Sequence, residues 1–240
     1  MKLIVDTETW LFRAAAASEY EAEFSPDKWT YLTDISNAKA VFCQEMERIQ
    51  NIAPDHSMIQ TLGSSTNFRY GVFPSYKSNR RLLRKPAGYS ALRQWVTETW
   101  PTTQLNGVEA DDTCGILYEE GDVIASRDKD LRTIPGVHLT NDGLVDVSRW
   151  EADRRFYCQA LTGDSTDGYP GLKGVGPVAA GKILADCTTE QELWQAVVAA
   201  YAKAGQTLDY TLQMARCARI LRAGEYDYDK ERPVMWSPPC

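Results

Sequence analysis

Acidic residues in this chain recur at or just past short apolar runs. Asp6 closes Leu3-Ile4-Val5, and Asp128 and Asp130 follow Val123-Ile124-Ala125-Ser126. Glu109, Asp111 and Asp112 share a helix start in Glu-Ala-Asp-Asp, and Asp164 and Asp167 punctuate Gly-Asp-Ser-Thr-Asp-Gly. Such runs read as buried strands of an α/β layout, and in a parallel sheet the carboxyl ends of the strands gather on one edge. Eight carboxylates on that edge would repel one another, since one pair at ~4 Å already costs about 4 kcal/mol at an effective dielectric near 20. Positive charge must sit among them. Hard divalent cations prefer oxygen ligands, and Mg²⁺ keeps several waters while taking one or two carboxylates, so the cluster predicts two partly hydrated Mg²⁺ or Mn²⁺ ions. Only two histidines, His56 and His138, and six scattered cysteines without a Cys-x-x-Cys pair speak against zinc and against a disulfide framework. Taken singly each motif has a plain alternative: the helix macrodipole favours Asp111, and Asp-x-x-Asp is common turn chemistry. Their joint order carries the signal.

The remaining pattern predicts a strand over 2–6, helices over 9–22 and 34–51, a strand over 57–62 and a turn at Gly63-Ser64-Ser65. A helix is expected from Pro86 to about Trp100 and another from near Val108, followed by a strand over 122–126 and a hairpin over 137–147 turning at Asn141-Asp142-Gly143. Ser148 is a candidate N-cap for a helix to Leu161; a Gly-rich loop then leads to Gly176, and helix resumes to about Ala223. Alternating elements first and helices last imply a mostly parallel sheet flanked by helices over 1–150 and a smaller helical lobe over 151–240. No apolar stretch approaches the roughly 20 residues that cross a bilayer, and the chain enters a strand-like run with no leader ahead of it, so a cytoplasmic protein without membrane partners is expected.

The formal charge of −7 excludes a uniformly basic nucleic-acid coat, but it is unevenly spread. The 42 residues between Asp55 and Glu98 contain no acid and seven bases: Arg69, Lys77, Arg80, Arg81, Arg84, Lys85 and Arg93. Tyr70, Phe73, Tyr76, Tyr89 and Trp95 are interleaved with them. A solvated loop and helix face is the plain reading; a groove for nucleic acid accounts for the aromatics as well. A second basic feature is Pro170 to Leu184, where Gly174, Gly176 and Pro177 open a helix whose first N–H groups can cradle phosphate, with Lys173 and Lys182 nearby.

In that order the motifs resemble the 5′-nuclease (flap endonuclease, PIN-like) superfamily: a first-strand Asp, a basic arch, Glu-x-Asp-Asp, Asp-x-Asp, Gly-Asp-x-x-Asp and a helix-hairpin-helix-like clamp. Within it, Asn67-Phe68-Arg69, Tyr76-Lys77-Ser78-Asn79-Arg80, Lys85-Pro86-Ala87-Gly88-Tyr89 and Gly163 to Tyr169 are most similar to the short-tailed-phage, gene-six type of 5′→3′ exonuclease. The resemblance implies a metal-dependent phosphodiesterase, expected to be monomeric, that acts at 5′ ends or flaps of duplex DNA and on RNA primers in RNA–DNA hybrids. It implies that Asp6, Glu109, Asp111 and Asp112 hold one metal and Asp128, Asp130, Asp164 and Asp167 the other. Lys77 and Arg80 would reach the scissile phosphate. Arg69, Tyr76, Arg81, Arg84 and Lys85 of the arch would contact DNA, as would Lys173, Gly174, Gly176 and Lys182 of the clamp, with K⁺ at the hairpin. The chain departs from the family at Ser64, where the register leads to an expected Asp, and at Val178, where a Lys is common. Glu8 is a candidate to compensate for Ser64, although strand alternation equally points it away. A DNA-binding protein with weakened catalysis and a PIN-type ribonuclease are the rival readings.

Overall fold

A computed structural model describes residues 1–80, 83–140 and 143–239. Arg81 and the Asn141-Asp142 part of the expected turn lie outside the described residues.

The chain opens with strand β1 (Lys2–Asp6) and helix α1 (Thr7–Ala17). The expected helix over 9–22 then gives way to a two-stranded ribbon, β2 (Glu19–Ser25) and β3 (Lys28–Thr33). The core-facing positions of α1 are Trp10, Leu11, Ala14 and Ala15, and the Ser18 N–H closes the helix on Ala15 O at 3.3 Å. Pro26-Asp27, with Asp27 at φ 60°, is the turn between the two strands, a signal that the Ala-rich run before it obscures. Helix α2 (Ile35–Gln50) starts as expected, with Asp34 accepting the Asn37 N–H at 3.0 Å. Strand β4 (Ser57–Leu62), the short helix α3 (Arg69–Val72), helix α4 (Tyr89–Thr99) and strand β5 (Thr102–Gln104) follow. Helix α4 begins three residues after Pro86 because Glu19 takes the Ala87 N–H (2.6 Å) and Thr33 the Gly88 N–H (2.8 Å). Helix α5 (Ala110–Leu117), strand β6 (Val123–Ala125) and the antiparallel pair β7 (Gly136–Thr140) and β8 (Gly143–Val147) complete the first part.

The sheet has the order β5-β4-β1-β6-β7-β8 and is parallel except for β8. From β1 the chain winds outward to β5 and returns to the other flank of β1 with β6. The winding therefore reverses between β1 and β6, and a crevice at the carboxyl ends of those strands is the expected ligand site of an open α/β sheet. Strand alternation sorts the core. Leu3 and Val5 pack with Trp10, Phe42, Met46 and Leu92 on one face, and Ile4 packs with Cys114, Ile124, Leu131 and Ile220 on the other.

Helix α6 (Arg149–Thr162) begins at Ser148 with the reciprocal Ser148–Glu151 capping box. Helices α7 (Pro177–Ile183), α8 (Glu190–Lys203) and α9 (Leu208–Ala218) gather around Phe156, Tyr157, Leu161, Trp194 and Met214. The run expected to be helical to Ala223 is thus three helices, the last ending at Ala218. Beyond it the chain returns to the sheet. Ile220 and Leu221 join cores that contain α5, and the small ribbon β9 (Tyr226–Asp227) and β10 (Arg232–Pro233) sets the Tyr226 hydroxyl against the Asn106 backbone, 3.1 Å from its N–H. Among the described residues, no helix is long and apolar enough to cross a membrane.

Gly115 marks where the returning tail meets α5: a Cβ there would stand 2.1 Å from Leu221 O. Gly115→Ala should lower the urea midpoint by the equivalent of about 2 kcal/mol or more, as overpacking against backbone does. Gly181→Ala in α7, which has open space, should be neutral or stabilising by up to about 1 kcal/mol; equal midpoints for the two variants would contradict this packing.

Candidate metal centre and nucleic-acid cleft

The last residue of β1 and the segment after β6 meet at the winding reversal. Asp6 is buried and accepts the Ser126 hydroxyl at 2.8 Å. Burial, with the charges of Asp128 and Glu8, pushes its carboxyl up to about 6. Ser126 Oγ in turn accepts the Asp128 N–H (3.0 Å), and Asp128 Oδ1 accepts the Asp130 N–H (2.9 Å), so one hydroxyl orders three of the acids. Burial, Asp128 and Asp164 also push Asp130 up to about 6.

Glu109 and Asp111 stand at the start of α5, where Glu109 is the N-cap. Burial opposes ionisation of Glu109, but Lys77 and Arg69 draw its carboxyl down to about 2. Asp111 goes the other way, raised by burial and by Asp112 and Glu109. Across the cleft, the turn after α6 is built on two glycines in left-handed backbone, Gly163 (φ 66°) and Gly171 (φ 62°). They cross so closely that a Cβ on Gly171 would lie 2.2 Å from Gly163 N. That crossing aims Asp164, which accepts the Thr166 N–H at 2.6 Å, and Asp167, which meets Arg80 at 2.5 Å and Lys77 at 3.6 Å. Lys77 Nζ is also ion-paired with Glu109. A cleft of about 810 Å³ is lined by Asp111, Asp128, Asp130, Asp164, Asp167, Lys77 and Arg80.

The donor set fits hard divalent cations. It is oxygen-only: His138 is buried with its ring nitrogen 2.8 Å from Ile134 O, and His56 meets Gly121 O. Carboxylate oxygens of Glu109, Asp111 and Asp112 lie within 4.8 Å of one another. Asp6, Asp111 and Asp130 are all held above the usual carboxylate range, by burial first and by neighbouring carboxylates second.

Several expectations need correction. Asp112 is fully buried, and its two oxygens accept Arg69 twice (2.6 and 2.7 Å), Leu221 N–H (3.0 Å) and Glu109 N–H (3.1 Å), which uses its acceptor capacity inside the protein. Through the Glu109 N–H it accepts and its own N–H donated to Asp111 Oδ1 (2.7 Å), it ties the other two acids of the cluster in place. Arg69 is 1% exposed and cannot reach DNA; besides Asp112 it donates to Cys217 O and Arg219 O. Tyr76 is also buried, its hydroxyl 2.9 Å from both Glu109 and Asp167, so it braces the acids instead of stacking on a base. Arg84 is exposed but already bound to Glu19 (2.7 and 2.6 Å) and stacked over Tyr31.

Lys85 is exposed over the Tyr89 ring and lines a smaller pocket of about 280 Å³ with Glu8, Ser64 and Arg93. Ser64 thus faces this side pocket, its hydroxyl 3.2 Å from that of Thr66, and Glu8 accepts the Gly63 N–H at 3.2 Å from the first turn of α1. Lys173, Gly174, Gly176 and Lys182 are exposed on the loop before α7 and on α7, and Gly176 borders the main cleft. Sequence reasoning misses Ser126, whose only signal is its place at the end of the strand that follows Asp122.

No family model matches the chain. The exodeoxyribonuclease of Enterobacteria phage T3 is 26% identical over 281 aligned residues, spanning 98% of this chain and 92% of that protein. The T5 5′-exonuclease with bound divalent zinc ions superposes with a TM-score of 0.54 at 17% identity, over 90% of this chain and 93% of that one. The catalytic core of Rad2 in complex with DNA substrate gives a TM-score of 0.54 at 12% identity, over 99% and 82%. These two structures establish the shared fold. The chain is thus similar along nearly its full length to a phage exodeoxyribonuclease, and it shares the 5′-nuclease fold, with an acid-lined crevice at the winding reversal.

Proposed function

We propose that this chain is a divalent-metal-dependent 5′→3′ exodeoxyribonuclease that hydrolyses phosphodiesters at 5′ ends of duplex DNA, with flaps and RNA–DNA hybrids as further substrates. The observation that carries the reading is the convergence of Asp111, Asp128, Asp130, Asp164 and Asp167 around one cleft, with Asp6 joined to Asp128 through Ser126, Glu109 joined to Lys77, and Lys77 and Arg80 set among them. Asp6, Glu109 and Asp111 would hold one Mg²⁺ or Mn²⁺ ion and Asp128, Asp130, Asp164 and Asp167 a second, and when bound these would supply the charge that activates a water and stabilises the leaving 3′ oxygen. The protein's own groups do the rest. Ser126 fixes Asp6, the Arg69–Asp112 pair fixes the start of α5, and Tyr76 ties Glu109 to Asp167. Lys77 and Arg80 bring positive charge to the phosphate as it gains negative charge, an effect exerted in the transition state. Duplex backbone is gripped by the loop from Lys173 to Gly176 and by Lys182, with K⁺ there. We assign residues 1–150 to the nuclease unit and 151–240 to a duplex-binding lobe whose tail after Ala218 crosses back, in a monomer working in the cytoplasm.

Asp128→Ala and Asp111→Ala should each lower Mg²⁺-dependent nucleotide release from a 5′-labelled duplex by about 10²-fold or more, with duplex binding still measurable in a filter assay; full activity in either variant overturns the metal assignment. Lys77→Ala should lower kcat by about 10²-fold while KM moves little, and a steady-state titration showing the reverse split would remove its transition-state role. Asp6 and Asp130 bind protons more tightly folded than unfolded, so their contribution to stability falls as pH rises from about 4 to about 6. Scanning calorimetry should therefore show Mg²⁺ raising Tm more at pH 7.5 than at pH 5, and an equal rise at both would count against a cation at these acids.

A further inference from the structure

The cations of the main cleft fall into two groups. Arg69, Lys77 and Arg80 are each neutralised by an acid of the site, through Asp112, Glu109 and Asp167. Lys129 and Arg155 line the same cleft, are exposed, and have neither a carboxylate within 4.0 Å nor a hydrogen-bond partner among the described residues. Neither belongs to the acid-free basic segment. Lys129 lies in the turn after β6, between Asp128 and Asp130. Arg155 projects from α6 where that helix packs on α7: the adjacent Arg154 donates to Leu184 O at 2.8 Å, and Gly176 and Pro177 border the cleft beside it.

A strand crossing this cleft meets a row of acids, and the cations that the basic segment places among them are each ion-paired with one of those acids. A DNA strand carries one phosphate per ~3.4 Å of helix axis, so any strand held at the acids brings neighbouring phosphates with it. The free charges available to those neighbours inside the cleft are Lys129 and Arg155. We infer that Lys129 and Arg155 form a phosphate-binding site for the duplex part of the substrate strand, between the acids and the Gly174–Gly176 loop. This rests on the nuclease reading.

The test is a salt titration of binding in EDTA by fluorescence anisotropy, with a labelled hairpin duplex bearing one 5′ end and a single strand of the same sequence as probes. For Lys129→Ala combined with Arg155→Ala, the slope of log K against log salt on duplex should become shallower by about 1.8, about 0.9 for each phosphate that is no longer neutralised. The slope on the single strand should stay as in the wild type. The charge-keeping pair Lys129→Arg with Arg155→Lys should restore the duplex slope, and Lys203→Ala at the far end of α8 should leave it as it was. An unaltered duplex slope in the alanine pair, with the wild type binding normally, overturns the site alone, as does an equal loss on duplex and single strand. A wild-type chain that binds neither probe overturns the site together with the nuclease reading.

Discussion

The buried pair of Arg69 and Asp112 organises the whole acidic site. Removing two charges from water is unfavourable unless the geometry is good and every remaining donor and acceptor is filled. Here they are filled from three distant parts of the chain: α5 and its N-cap supply Asp112 and the Glu109 N–H, the start of α3 supplies Arg69, and the end of α9 with the stretch after it supplies Cys217 O, Arg219 O and the Leu221 N–H. Losing either partner strands a buried charge, a penalty of about 3–5 kcal/mol. The pair therefore ties helical lobe to sheet and fixes the start of α5. A parallel knot, Arg222 on Asp153 and Thr133 O, holds the segment after β6 to α6.

Around that frame the acids occupy unequal environments. Glu109 is pulled down by Lys77 and Arg69, whereas Asp6, Asp111 and Asp130 are pushed up by burial and by one another. A core selected for stability alone would not place three carboxyls where ionisation is opposed. Groups held off their ordinary values at a cleft mark a candidate ligand site, and a divalent cation there would supply the opposing charge. The basic segment is docked at both described ends rather than waving free. Asn79 and Arg80 hold Thr166 O, while Arg84, Ala87 and Gly88 are held by Glu19 and Thr33 of the ribbon. Much of its positive charge is thus already committed inside the protein, which is why its bases do not all translate into contacts with DNA.

How much is legible in the sequence follows from what kind of information each feature carries. The strand ending at Asp6, the strand over 57–62, the N-cap at Ser148 and the Gly-rich turn at Gly163 all rest on local patterns, and local patterns are what periodicity and capping report. The start of the ribbon over 19–33 reads as helix because Ala-rich sequence runs straight into it and outweighs the Pro26-Asp27 turn. Strand β5, three residues long, has no periodicity to read.

Residue order alone establishes that acids gather at strand ends, that bases cluster in an acid-free window, and that a mostly parallel α/β unit is joined to helices. It does not establish the partner of each charge. Arg69 reads as a phosphate contact and Asp112 as a metal ligand because both stand in the right motifs, yet they lie 43 residues apart and neutralise each other. Arg84 finds Glu19 across 65 residues, whereas Lys129 and Arg155 form no ion pair because no described carboxylate comes within 4.0 Å of their charged nitrogens. Residue type and spacing state what a charge can do, but three-dimensional proximity decides which charges are spent inside the protein and which remain for a substrate, because pairing depends on distances over a few ångströms that chain separation does not encode.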